Sequence, residues 1–388
     1  MSPAPTTRHP RLMRILLLHN RYRSEGGEER VVADLQALLS ARGHRVALIE
    51  RRSSGVGRAA AARALVGGGS SPDEIGEAVR ALRADVVHAH NLHPLFGWRA
   101  LAATRAAGAR TVLHLHNFRL FCAIGVAYRD GAPCFRCRGT DTLPGLRLNC
   151  RGSVGEAAAY AVGLHRQQPH IFEHADGLVA VSDATLRRLV ELGLPPERTA
   201  TLANFVRSEG FAATSAAGEG EYALVSGRLV EEKGFDTAVA AARAAAVPLV
   251  VAGEGPDEGR LRRMASGAEV RFTGWISPQA LAELRARAAV VLVPSSSDEA
   301  CPYSALDALA TGVPVLASDR GGLPELVGAD NVLPPGDAGR WSSALAALWN
   351  DPSARQRAGD AALARARERF SEDAYYARLS EIYSGTRT

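Results

Sequence analysis

Short apolar runs alternate with stretches of helical period along the whole chain. In the first half the runs Arg14–His19, Arg45–Glu50, Asp85–His90, Thr111–His116 and Gly177–Ser182 read as strands. After the first of them Val31, Val32, Leu35, Leu38 and Leu39 share one helical face, which predicts a crossover helix over Val31–Leu39 with Gly43 as its stop signal. The pattern then restarts, with strands predicted at Tyr222–Ser226, Pro248–Ala252, Val270–Thr273, Val290–Pro294 and Pro314–Ser318. Strand runs alternating with helical patterns are the sign of parallel α/β construction.

Between the halves lies Ser208–Glu221, rich in Gly, Ala, Ser and Glu, which reads as an interdomain linker. The predicted division is an N-terminal domain over 1–207 and a C-terminal domain over 208–370. The last segment, 371–388, is expected to be a helix packing back on the first domain. It continues a helical stretch, Ala354–Tyr383, in which Tyr375, Tyr376, Leu379 and Tyr383 form a stripe. Two segments are less regular. Arg51–Ser71 reads as a mobile loop with a short helix, and Cys122–Ser153 as an insertion in the N-terminal domain.

The bulk numbers agree with two domains, since 388 residues exceed what one core usually holds. Apolar residues make up 46% and charged residues 22%, as in soluble globular proteins. A net charge of +5 suits an anionic ligand or a membrane surface and is too mild and dispersed to indicate nucleic acid. No apolar run reaches membrane-spanning length, and Met1–Arg11 lacks the apolar core of a signal peptide. The expectation is a cytoplasmic protein, with peripheral contact at the inner face of the membrane as a further option.

Two segments of the second half carry the candidate chemistry. Ser226-Gly227-Arg228-Leu229-Val230-Glu231-Glu232-Lys233-Gly234 places two cations among small residues at the end of a predicted strand. Arg binds phosphate oxygens bidentately, Lys acts as a point charge, and Gly227 lets backbone and ligand approach. Taken alone, these are equally well two solvated cations in a turn. In the other segment Glu299 precedes a helix that starts after Pro302, and Asp307 sits in its second turn. Ionised carboxylates are acceptors and suit sugar and ribose hydroxyls, although either acid could simply serve its helix or face solvent. Phosphate neutralisation beside hydroxyl recognition points to glycosyl transfer.

On these residues the chain resembles the retaining glycosyltransferases of family 4, with the GT-B architecture of two facing Rossmann-like domains. The resemblance implies that Arg228 and Lys233 hold the donor diphosphate, that Glu299 contacts the transferred sugar and that Asp307 contacts the ribose. The family's Glu-x7-Glu motif is present here as Glu-x7-Asp, one methylene shorter at its second acid. Val251-Ala252-Gly253-Glu254-Gly255-Pro256 is similar to the family's Gly-rich turn, and Phe272-Thr273-Gly274-Trp275-Ile276 to the segment that meets the base. Gly321-Gly322-Leu323-Pro324-Glu325 and Asn204 also match in order. In the first half the pair Gly26-Gly27 borders the reaction centre by resemblance, although the same pair could be only a tight turn. The family's His beside the donor sugar falls on His116, in Leu113-His114-Leu115-His116-Asn117. The resemblance further implies retention of configuration, no obligatory catalytic metal, a nucleotide-diphosphate sugar as donor and an unidentified acceptor.

The cysteines set this chain apart. Cys134 and Cys137 form a C-x2-C pair, with Cys122 before it and Cys150 after it. Four thiolates of this kind suit a tetrahedral structural zinc site, which is the preferred reading. An iron–sulfur cluster, an oxidised pair or four unrelated thiols remain open. Rival functions are an epimerase or a phosphorylase-like enzyme on the same architecture, and a non-catalytic nucleotide-sugar-binding or scaffold protein with a metal-stapled interaction module.

Overall fold

The computed structural model describes residues 12–21 and 26–385. Met1–Arg11 and the last three residues of the expected terminal helix lie outside the described residues. The first half supplies β1 (Arg14–Arg21), β2 (Arg45–Arg52), β3 (Val86–Ala89), β4 (Arg110–Leu115), a small hairpin of β5 (Tyr128–Arg129) and β6 (Ala132–Pro133), β7 (Gly177–Ala180) and β8 (Thr199–Thr201). The second half supplies β9 (Tyr222–Ser226), β10 (Leu249–Ala252), β11 (Val270–Gly274), β12 (Ala288–Val293), β13 (Val315–Ser318) and β14 (Val332–Leu333).

Apart from the hairpin, the strands form two six-stranded sheets, ordered β2-β1-β3-β4-β7-β8 and β11-β10-β9-β12-β13-β14. Neighbours within each sheet run parallel. Each sheet is covered on both faces, which is why the strands read as unbroken apolar runs. In β1, Leu16 and Leu18 point into one core layer, while Ile15 and Leu17 point into the other. In β9, Ala223 and Val225 face one layer, and Tyr222 and Leu224 the opposite one. Burying a large aliphatic side chain stabilises by about 1.5–3 kcal/mol, so this alternation fixes strand register.

The predicted helix over Val31–Leu39 extends over Gly27–Ala41, and the Glu29 carboxylate accepts the Gly26 amide at 2.8 Å to close its first turn. The stripe of tyrosines belongs to a separate helix, Glu372–Ser384. It follows a break at Phe370–Ser371 after the helix Pro352–Arg369. Tyr375, Tyr376, Leu379, Ile382 and Tyr383 pack with Ile15, Leu17 and Leu35 of the N-terminal domain. Tyr376 and Tyr383 also bond His44 Nε2 at 2.7 Å and His88 Nδ1 at 2.8 Å. The chain therefore crosses back, and its two domains are tied by the terminus as well as by the segment between them.

One expectation from composition is corrected. Arg51–Ser71 holds the expected short helix, over Arg58–Gly67, but is not a loose loop: β2 runs through Arg52, and Arg51 donates to the carbonyls of Ser70 (2.7 Å) and Leu95 (3.1 Å). Ser208–Glu221 joins the two sheets as expected, and it is pinned along its length. Arg355 donates to Ala217 O at 2.6 Å and Gly218 O at 2.7 Å, and Ser215 Oγ donates to Gly312 O at 2.6 Å. Small polar residues mark where the domain begins, but backbone carbonyls give an arginine something to hold.

Candidate active site

In open parallel sheets, ligands bind beyond the strand C-termini where the strand order reverses. In the C-terminal sheet that point lies between β9 and β12. The loops leaving these two strands carry the residues singled out in the sequence, and they meet. Lys233 Nζ lies 2.5 Å from Glu299 Oε1, and Ser295 Oγ donates to the same oxygen at 2.6 Å. The amide of Ser296 donates to Glu232 O at 2.9 Å, so backbone also locks loop to loop. Burial alone would raise the Glu299 carboxyl. Lys233, Ser295 and, more weakly, Arg228 outweigh it and hold the group below its ordinary range, so it stays ionised. Arg228 reaches outward, 63% exposed, with Nη2 3.9 Å from Glu232 Oε1.

Glycines make the close turns here. A Cβ on Gly253 (φ +134°) would fall 1.9 Å from Gly227 O, and one on Gly234 (φ +65°) would fall 2.0 Å from Pro294 O. No larger residue fits either place. Trp275 is 70% exposed, and its amide is held by Glu254 Oε1 at 3.1 Å, while Ile276 packs against the core. An exposed indole beside a glycine turn offers a flat apolar face to a ligand.

The N-terminal sheet reverses between β1 and β3. There Gly26 and Gly27 open the helix Gly27–Ala41, and His116 follows β4. His116 Nε2 sits 2.9 Å from His90 Nδ1, at the end of a stack of imidazoles that runs inward through His90, His114 and His88. Burial, and to a lesser degree the neighbouring rings, push His116, His90 and His88 well below the ordinary histidine range, and burial brings His114 down to about 3. The stack is neutral at physiological pH. One ring nitrogen from each of His88, His90 and His114 lies within 4.8 Å of the others, a spacing three imidazoles could offer a metal ion.

Across the cleft, Arg30 grips Asp307 with two parallel bonds of 2.8 Å, and Arg285 Nη1 lies 3.3 Å from Asp307 Oδ2. The Arg30 guanidinium also stacks 3.9 Å above the Tyr303 ring, and a Cβ on Gly27 would fall 3.5 Å from that ring. Nearby the Glu325 carboxylate accepts the amides of Asp183 (2.8 Å) and Ala184 (2.6 Å), and Asn204 Nδ2 donates to Cys301 O at 3.0 Å. Thus Asp307, expected to meet a ribose, is held by two guanidinium groups, one from each domain.

The structure therefore brings Arg228, Lys233, Glu299, Gly227 and Gly253 into one site and sets His116, Gly26 and Gly27 on the opposite wall. Cys122, Cys134, Cys137 and Cys150 instead line a separate cavity beside it. Sequence reasoning missed Ser295, Arg30 and the histidine stack. The paired His-x-His alternation on β3 and β4 was the available signal for the last, and nothing local marks Ser295 or Arg30.

Two facing doubly wound domains with a charged switch-point site define the GT-B class. Two family models match the chain in succession: "Glycosyltransferase Family 4" over residues 25–209 and "Glycosyl transferases group 1" over 206–365. The chain belongs to glycosyltransferase family 4. It is 31% identical over 260 residues to a GDP-mannose-dependent alpha-mannosyltransferase of Mycobacterium tuberculosis, an alignment covering 64% of this chain and 59% of the relative. It is 40% identical over 111 residues to the GDP-mannose-dependent alpha-(1-6)-phosphatidylinositol dimannoside mannosyltransferase of the same species, covering 27% and 29%. The chain spans less than two thirds of the length of the curated relatives it matches. Among solved structures, Anabaena HepE in complex with UDP superposes with a TM-score of 0.67 at 17% identity, over 96% of this chain and 100% of that one, which shows the shared fold. Among the described residues no helix is long and apolar enough to cross a membrane.

Proposed function

We propose that this protein is a retaining glycosyltransferase that moves a sugar from a nucleoside-diphosphate donor to an acceptor held by the N-terminal domain. The observation that carries the reading is the Lys233–Glu299 pair, 2.5 Å apart at the switch point and flanked by turns that only glycine can make. Lys233 and Arg228 would stabilise the charge that develops on the departing diphosphate, the task a metal performs in other transferases. Glu299, ionised and acceptor-only, would receive hydroxyls of the transferred sugar. His116 would face the sugar as a neutral imidazole. Retention follows if the leaving phosphate itself takes the acceptor's proton on the face it departs from. Two mannosyltransferase relatives named for GDP-mannose make that the first donor to try, and the UDP complex of a fold neighbour makes UDP-sugars the second. Envelope polysaccharide or glycolipid is the acceptor class those relatives suggest, with membrane contact a corollary.

The experiment is calorimetric titration of the purified protein with UDP, GDP, ADP and dTDP, with Arg228→Ala as control. Selective binding of one nucleotide, weakened in the variant, supports the reading. Failure of all four, and of GDP-mannose and UDP-glucose after them, to bind refutes the transferase reading.

A further inference from the structure

The residues between β4 and the helix Val154–His174 have little regular structure. They hold the two-residue strands β5 and β6 and one five-residue helix, Leu143–Arg147. The first part of this segment packs into the N-terminal core through Phe118, Leu120, Phe121 and Ala127, while most of 129–150 is half-buried or exposed. Yet it brings four cysteines, at spacings of twelve, three and thirteen, to the wall of one cavity, all of them free. No three of their sulfurs lie within 4.8 Å of one another, so the thiols share the wall and would have to draw together around an ion. The rest of that wall is mostly apolar, with Phe118, Phe121, Ile124 and Leu148 among it.

One cation is already aimed at the sulfurs. Arg129 Nη1 lies 3.7 Å from Cys150 Sγ. Donors of this kind stabilise thiolates and are what surrounds metal-bound sulfur. The charge agrees. Between residues 119 and 151 there are six arginines and two acids, both aspartates. A divalent ion on four thiolates is a dianion, which that excess of cations would balance.

The cavity also lies close to the site. The hairpin that joins Cys122 to Cys134 reaches across the cleft. A Cβ on Gly131 would fall 3.5 Å from Glu231 Oε1. Phe135, inside the C-x2-C pair, lies under the Arg188 guanidinium at 4.2 Å, and Arg188 Nε is 3.8 Å from Asp298 Oδ2. Asp298 belongs to the loop that carries Glu299, and Glu231 opens the turn that carries Lys233.

We propose that Cys122, Cys134, Cys137 and Cys150 together bind one zinc ion, and that this centre fastens the Tyr128–Pro133 hairpin over the loops that hold Lys233 and Glu299. A closed tetrathiolate shell is a structural form of zinc, and it needs no open coordination position. The choice of zinc over an iron–sulfur cluster rests on the proposed function, since glycosyl transfer moves no electrons. The zinc makes no contact with substrate in this scheme. It sets the position of the hairpin.

The test is made on the full chain, purified without added metal and without a metal-affinity step. Elemental analysis is expected to find about one zinc per chain, and Cys134→Ser and Cys137→Ser are expected to lose it. Stripping zinc from the wild-type protein with a chelator should speed amide exchange in 128–133 and, through the contacts above, in 231–233. Readdition of zinc alone should reverse both. Protein without bound metal overturns the proposal, as does iron with visible absorbance in place of zinc. Zinc whose removal leaves exchange at 128–133 unchanged overturns the fastening role. None of these readouts uses a nucleotide or an acceptor, so failure here is distinct from failure of the transferase reading.

Discussion

Replacing Lys233 by Met tests the pair at the centre of the site. The substitution keeps most of the aliphatic stem and removes the ammonium 2.5 Å from Glu299 Oε1. Glu299 is 11% exposed at its side chain and Lys233 27%, so the carboxylate cannot recover its lost partner from bulk water. Removing one member of a buried pair typically costs about 3–5 kcal/mol. Ser295 Oγ still donates at 2.6 Å, and Lys233 is the more open partner, so we expect the lower end, about 3 kcal/mol. In a domain of this size that lowers Tm by about 6–12 °C. Glu299→Gln should cost less, about 1 kcal/mol, because Lys233 can turn toward the cleft. The double variant leaves no buried charge and should melt near Glu299→Gln.

The pH dependence has a definite sign. In the native protein the Glu299 pKa is lowered, so the pair's stabilisation is present above the unfolded value of about 4.3 and is lost as pH falls through the folded value. In Lys233→Met burial dominates and the carboxyl rises, so protonation relieves the penalty at higher pH. The gap between wild type and Lys233→Met should therefore be widest at neutral pH and close on acidification. Thermal unfolding of the four proteins between pH 4 and 8 measures it. Equal melting of Lys233→Met and the double variant at pH 7, or a gap that does not shrink with acid, would refute the reasoning.

Three further outcomes are expected. Gly253→Ala, whose Cβ would meet Gly227 O at 1.9 Å, should abolish nucleotide binding in calorimetry by displacing the turn, whereas Gly155→Ala, at a position with open space and ordinary backbone, should leave binding intact. Arg30→Ala should cost only about 1 kcal/mol, since that side chain is 39% exposed, yet should raise the radius of gyration in small-angle scattering by freeing Asp307 across the cleft. Burial brings His93 and His114 down to about 3, so the unfolded chain takes up protons that the native protein refuses below about pH 6.5. Denaturant titration should show stability falling from there toward pH 5, and His114→Gln should flatten that slope.

Most of the architecture was legible because parallel strands buried on both faces write themselves as apolar runs, as in β1, β9 and β12. The strands β8 and β14 were not, since two or three residues carry no period. The break at Phe370–Ser371 falls where the sequence division is set, between 370 and 371, although Ala354–Tyr383 reads as helical on both sides of a single capping serine. Within the site, Arg228, Lys233 and Glu299 were readable because each sits beside a strand end with glycine or proline punctuation. Asp307 was readable as an acid on a helix, but its partners were not. Arg30 is 277 residues away in sequence, and only the closure of two domains brings it near. Arg285 is similarly invisible, since a cation in an amphipathic helix usually faces water. Local pattern thus reports what one loop contains, whereas ion pairs between loops belong to tertiary structure.

The Lys233–Glu299 pair also bears on which ligand the site prefers. A nucleoside diphosphate without its sugar would draw Lys233 toward phosphate and leave Glu299 buried with Ser295 alone. Leaving this buried charge without its partner costs about 3 kcal/mol, as in Lys233→Met, a cost that opposes binding of the bare nucleotide. An intact donor brings hydroxyls that donate to Glu299 as Lys233 leaves it, so the exchange is balanced. In the proposed reaction this favours the loaded donor over the spent one and helps release product. Glu299→Gln removes the charge that enforces the exchange. Its expected signature is tighter binding of the bare nucleoside diphosphate, by about tenfold for a change of 1.4 kcal/mol, with weaker preference for the nucleotide sugar. Calorimetry with GDP against GDP-mannose, and UDP against UDP-glucose, reads both constants. If the variant binds the bare nucleotide no better than wild type, Glu299 does not hold Lys233 back from phosphate, and the pair is a structural contact only.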